Sequence, residues 1–119
     1  MCYVVIPTSK FEDDIRYYVK KCKFKNIEDD ISAIVDELEK GNLVGDIISD
    51  LHLDTGESSY KVRMANTDTK VGKSNGYRII YYAIKNEREI YLLTIYYKKE
   101  DIKILTKKEI KDLIEKYCK

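Results

Sequence analysis

Apolar residues in the first third of the chain recur at helical spacing. Within residues 11–22, and again within 27–38, they fall at positions i, i+4, i+7, i+8 and i+11. This spacing places them on one stripe of an α-helix. Ser9 and Glu12 have capping-box spacing, which predicts the start of the first helix, and Asn26 is a suitable cap for the second. The short join between the stripes predicts an antiparallel helical hairpin.

The second half of the chain changes to a strand pattern. Residues 60–65 alternate between apolar and basic side chains, which predicts a half-buried strand. Residues 77–85 and 90–97 are apolar on both faces, which predicts two central strands joined by a hairpin turn. Residues 3–6 form a further short β-branched run that ends at Pro7.

The order of these elements predicts the fold class. Thr106 and Glu109 form another capping box, which opens a C-terminal helix and completes a β-α-α-β-β-β-α order. We expect an α+β fold, with a mostly antiparallel four-stranded sheet and the two-helix hairpin packed on one face. No repeat or linker interrupts the pattern, so residues 1–119 are predicted to form a single domain. Residues 42–59 give no clear pattern.

Composition indicates a soluble globular protein. The chain is 44% hydrophobic and 36% charged, as in soluble globular proteins. It has no apolar run near the roughly 18 residues of a membrane span and no signal peptide pattern. Cys2, Cys22 and Cys118 are too far apart to indicate a disulfide framework or a zinc site. We therefore expect a cytoplasmic protein with no metal and no membrane partner.

Charge is divided unevenly along the chain. Residues 1–59 carry a net charge of −6, and residues 60–99 carry +6. This division predicts a basic face that binds phosphates and releases counterions. Neutralisation of one half by the other across the fold would give the same totals, so that alternative stays open.

Two familiar signals are too weak to carry chemistry. Gly72-Lys73-Ser74 resembles the end of a phosphate-binding loop, but position 67 is Thr where that motif needs glycine, and a strand follows instead of a helix. His52 has no partner at the spacing of a nucleophile and base pair. The stretch around Lys73 is read as a basic loop, and His52 as a surface residue.

Five cations are predicted to converge at one end of the sheet. Lys61 and Arg63 share one face of their strand, Arg78 begins the next strand, and Lys98 and Lys99 end the strand after that. In an antiparallel meander, the last pair comes within about one strand spacing, roughly 5 Å, of Arg78. Guanidinium groups bind phosphate bidentately, so the cluster predicts a phosphate site. Separately solvated charges at strand ends are the alternative.

The same residues resemble a known family. The segments 60–64 and 92–101, with Gly76-Tyr77-Arg78 between them, are similar to the RelE/ParE superfamily of bacterial toxins, and most similar to its RelE/HigB-like branch. The element order resembles that fold throughout. The resemblance implies the toxin of a type II toxin-antitoxin system, a ribosome-dependent mRNA endonuclease that inhibits translation. Its partners would be a cognate antitoxin, the ribosome and mRNA.

The resemblance also implies roles for individual residues. Arg78 would stabilise the transition state, Lys61 would act as a base or phosphate contact, and Lys99 would protonate the leaving oxygen. Arg63 would contact phosphate. The reaction would proceed through the RNA 2′-OH without a metal or small-molecule cofactor.

Further RNA contacts are assigned to Lys73, Lys98 and the aromatic residues Tyr96 and Tyr97, one of which would stack on a base. The family has a tyrosine shortly after its last basic residue, and residues 102–105 contain none. The general base is therefore left open. Two alternatives to a nuclease remain: a ParE-like toxin that inhibits gyrase, and a non-catalytic basic module that binds nucleic acid or protein.

Overall fold

A computed structural model describes residues 2–99 and 104–119. The fold is α+β, as the sequence predicts. Its elements, in chain order, are β1 (Val4–Pro7), α1 (Ser9–Lys20), α2 (Ile27–Glu39), β2 (Asp46–Ile47), β3 (Glu57–Met64), β4 (Tyr77–Ile84), β5 (Glu89–Tyr97) and α3 (Lys107–Cys118).

The sheet is mixed and has five strands, in the order β1-β5-β4-β3-β2. β1 is parallel to β5, and the other pairs are antiparallel. The prediction of four strands was wrong because β2 has only two residues. So short a strand has no periodicity. Its position depends on Gly45, whose φ of +100° lets the chain pass against the backbone of β3.

Helices cover both faces of the sheet, not one. The predicted hairpin of α1 and α2 packs on the face that carries the odd-numbered residues of β4. α3 and Leu51 pack on the opposite face, against Ile80, Tyr82 and Leu93. The sequence indicates why both faces are covered. β4 and β5 are apolar on both faces, so each face must be buried against other elements.

Helix caps fix where α1 and α3 begin. Thr8, not Ser9, is the N-cap of α1, and its hydroxyl accepts a hydrogen bond from the Phe11 N–H at 3.3 Å. The prediction was one residue late because both residues have a hydroxyl. At α3 the predicted capping box of Thr106 and Glu109 is confirmed, with both reciprocal hydrogen bonds present.

Two lysines anchor α3. Lys111 contacts the segment that follows β2, and Lys119, just after the helix, contacts β3. The Lys111 ammonium donates to the carbonyl oxygens of Leu51 at 2.8 Å and His52 at 3.0 Å. Lys119 pairs with Glu57 of β3 at 2.9 Å. These contacts fix α3 against its face of the sheet. Its first residue, Lys107, lies near Arg63 of β3 and Arg78 of β4. Within residues 2–99 and 104–119, no helix is long and apolar enough to cross a membrane.

Candidate nucleic-acid interface

The register of β3 and β4 places two arginines side by side. Arg63 is the direct partner of Arg78, and Lys61 lies two residues along the same strand. Directly opposite residues of an antiparallel pair share a face of the sheet, as do residues two apart. Lys61, Arg63 and Arg78 therefore lie on one face, which is the face covered further along by α3.

These three side chains line a shallow groove of about 390 Å³. We call it the basic groove. Its described lining residues are Asp46, Ile47, Ile48, Ser49, Lys61, Arg63, Arg78 and Lys107. Lys107 is the first residue of α3, so the C-terminal helix contributes a fourth cation on the same face of the sheet.

The charges of the basic groove are poorly compensated. Among the described residues, no carboxylate forms an ion pair with Lys61, Arg63 or Arg78. Lys107 pairs with the exposed Asp50 at 3.3 Å. Burial, and then the neighbouring Arg63 charge, lower the pKa of Arg78 from its usual value. Three cations held together with no ion-pair partner among the described residues make a site for an anion.

Arg78 also holds the loop that precedes its own strand. Its Nη1 donates to the carbonyl oxygens of Lys73 at 3.1 Å and Tyr77 at 3.2 Å, and its Nη2 donates to that of Ser74 at 3.0 Å. These bonds take three of the five guanidinium N–H groups. The side chain is buried, and its orientation at the groove is therefore fixed.

Lys98 shares a carbonyl acceptor with Arg78, but neither Lys98 nor Lys99 lines the basic groove. The Lys98 ammonium donates to the same Ser74 carbonyl at 3.0 Å, and its backbone N–H donates to Gly76 at 2.9 Å. Lys99 is exposed in the turn after β5 and does not line the basic groove. The cation in the groove that the sequence did not predict is Lys107. Its capping box was visible, but no local pattern shows which end of a sheet a helix will approach.

Lys73 faces a second, larger depression. This edge groove, of about 1040 Å³, lies between α2 and the outer edge of β3. The wall formed by α2 carries the carboxylates of Asp29, Asp30 and Glu37. The opposite wall is formed by β3 and Lys73. The two grooves adjoin, because Asp46, Lys61 and Arg63 line both. Lys73 lines only the edge groove, and its backbone carbonyl oxygen accepts a hydrogen bond from Arg78.

The two tyrosines assigned to base stacking are interior residues. Tyr96 is 3% exposed and belongs to the cluster beneath α3. Tyr97 is 7% exposed, its ring packs edge-on against Phe24 at 5.4 Å, and its hydroxyl donates to Thr69 at 3.2 Å. Neither ring has an open face, so the stacking role does not fit the structure. Tyr97 is covered on the face of α1 and α2, and Tyr96 on the face of α3.

A scan against models of protein families finds no match, and a search of curated proteins finds none with significant similarity. Among residues 2–99 and 104–119, no three His, Cys, Asp or Glu side chains are grouped closely enough to hold a metal ion.

Proposed function

We propose that this protein is the toxin of a type II toxin-antitoxin system, acting as a ribosome-dependent mRNA endonuclease in the cytoplasm. One observation carries the proposal: Lys61, Arg63, Arg78 and Lys107 line one groove, and the first three have no ion-pair partner among the described residues. The likeness of residues 60–101 to RelE-type toxins supports the same reading.

The basic groove suits phosphoryl transfer through the RNA 2′-OH. In this reaction O2′ attacks the adjacent phosphorus, and the bond from phosphorus to the 5′-oxygen breaks, leaving a 2′,3′-cyclic phosphate. Negative charge grows on the phosphoryl oxygens in the transition state. Fixed guanidinium groups stabilise that charge, and Arg78 is fixed by its three carbonyl contacts.

The same groove supplies the argument for an antitoxin. Unpaired cations on an open surface attract an acidic segment, and such a segment would exclude RNA while bound. We therefore propose that the cognate antitoxin covers the basic groove. We expect the wild-type protein to bind the antitoxin, and we expect Arg63→Glu to bind it more weakly.

Cell-free translation tests the nuclease. Wild-type protein should stop peptide synthesis and shorten the mRNA, whereas Arg63→Gln should do neither. Arg63 is the better choice because it is exposed, while Arg78 also holds a loop. Lys40→Gln, on the exposed end of α2, is the matched control and should act like the wild type. Full-length mRNA in the presence of arrested translation would contradict the proposal.

A non-catalytic basic module is the second candidate. It is favoured by one specific observation: three of the N–H groups of Arg78 hold carbonyls of its own loop. On this account the protein binds RNA with the salt dependence of a phosphate contact but leaves the RNA whole. Inhibition of gyrase supercoiling with intact mRNA would point instead to the ParE-like alternative.

A further inference from the structure

Asp46 is the one carboxylate among the described residues that line the basic groove. It lies in β2 directly opposite Lys61. Opposite residues of an antiparallel pair share a face, and Lys61 shares its face with Arg63. The Asp46 carboxylate thus belongs to the same face of the sheet as the cations.

This carboxylate is not engaged in holding the fold together. Asp46 is exposed, and its side chain has no ion pair or hydrogen bond with any residue in the described ranges. A negative charge in a groove that binds phosphate weakens that binding. A groove that served only to hold phosphate would do better without it, so a second chemical task is the simpler explanation.

The backbone around Asp46 is held firmly. The Tyr81 hydroxyl donates to the Val44 carbonyl on one side, and the Ile48 N–H donates to the Ser59 carbonyl at 2.8 Å on the other. A Cβ at Gly45 would lie 2.6 Å from the Lys61 carbonyl oxygen, which shows how closely the segment approaches β3. A group that must meet a reacting atom needs this kind of support.

We propose that Asp46 is the general base of the RNA cleavage reaction, an inference that rests on the proposed nuclease function. Its carboxylate takes the proton of the 2′-OH as O2′ forms its bond to phosphorus. As the bond to the 5′-oxygen breaks, that oxygen receives a proton from the ammonium of Lys61 or Lys107, which line the same groove. The products are a 2′,3′-cyclic phosphate and a 5′-hydroxyl.

Carboxylate rescue tests this role. Asp46→Ala should cut mRNA on programmed ribosomes at least about 100-fold more slowly than wild type, yet bind a short RNA as tightly or more tightly. Added formate should restore much of its cleavage, because formate can occupy the vacated space and accept the proton. Formate should not restore Arg63→Gln, which keeps Asp46. Asp36→Asn, an exposed carboxylate on α2, should cleave like the wild type.

Several outcomes would overturn the inference. If Asp46→Ala cleaved at the wild-type rate or faster, Asp46 would only weaken phosphate binding and would not be the base. The same conclusion would follow if formate had no effect on a folded Asp46→Ala protein that still binds RNA. If Asp46→Ala did not fold, Asp46→Asn would decide by the same comparison of cleavage with binding. Failure of the wild type to cleave at all would remove the nuclease proposal itself, and this inference with it.

Discussion

Arg63 and Arg78 are direct cross-strand partners on one face of the sheet, yet they are held in different ways. Arg63 is exposed, whereas Arg78 is buried and donates to three backbone carbonyls. One member of the pair is free to follow a ligand, and the other is fixed in place. This difference makes the pair a natural basis for comparison.

Replacing Arg78 by Lys should destabilise the protein, while Arg63→Lys should not. Both variants keep the positive charge. Only Arg78→Lys loses the guanidinium group that donates hydrogen bonds to the carbonyl oxygens of Lys73 and Ser74. We expect the free energy of unfolding to fall by about 1–3 kcal/mol for Arg78→Lys. Denaturant titration measures this, and hydrogen exchange should quicken at residues 72–76. Equal stability of the two variants would contradict a stabilising role for the hydrogen bonds that Arg78 donates to its loop.

RNA binding should depend on salt through the cations of the basic groove. Removing one phosphate contact lowers the slope of log K against log salt by about 0.7 for a single strand. Lys61→Gln and Arg63→Gln should each show a loss of this size in fluorescence anisotropy titrations of a short RNA. Lys40→Gln provides the control, because its side chain is exposed away from the groove and the slope should not change. An unchanged slope in the groove variants would place RNA elsewhere.

The pair of Glu57 and Lys119 should stabilise α3 on the sheet within a defined pH window. Burial raises the pKa of Glu57, but Tyr82 and Lys119 outweigh it and lower that pKa below its usual value. The hydrogen bond with Glu57 raises the pKa of Lys119. The contribution of Glu57 is therefore complete above about pH 4.3 and is lost as the pH falls through the folded value. That of Lys119 is complete below about pH 10.4 and is lost as the pH rises through its folded value.

Glu57→Gln should accordingly lower the free energy of unfolding at pH 7 by about 0.5–1 kcal/mol. The difference from wild type should shrink as the pH falls through the lowered pKa of the Glu57 carboxyl in the folded protein. Lys108→Met breaks the pair with Asp112, in which both partners are largely exposed, and should have no measurable effect. Thermal and denaturant unfolding at several pH values would show whether the difference between Glu57→Gln and wild type follows this window.

The sequence predicted the long elements well because each has many residues to set its period. The stripes of α1 and α2, the doubly apolar β4 and β5, and the capping box of α3 are local features of this kind. β2 could not be predicted, since its two residues are placed by a tertiary approach at Gly45. The second helical cover was implied by Ile80 and Tyr82, but nothing local indicated that α3 would supply it.

The part of the candidate site that lies on strands was predictable, because side chains two residues apart on a strand share a face of the sheet. Lys61, Arg63 and Arg78 lie together because neighbouring strands place them there. Lys107 lies beside them only because α3 packs on that face, and Asp46 only because β2 pairs with β3. The burial of Tyr96 and Tyr97 could not be predicted from the strand pattern. It depends on the helices that pack against each face of β5.

The central claim is that the basic groove cleaves mRNA, and end analysis of mRNA on programmed ribosomes tests it most directly. Purified wild-type protein should produce fragments that end in a 2′,3′-cyclic phosphate, with the downstream piece bearing a 5′-hydroxyl. Lys61→Gln and Arg63→Gln should produce few or none, and Lys40→Gln should match the wild type. Intact mRNA with the wild type, or equal cleavage by the groove variants, would contradict the account.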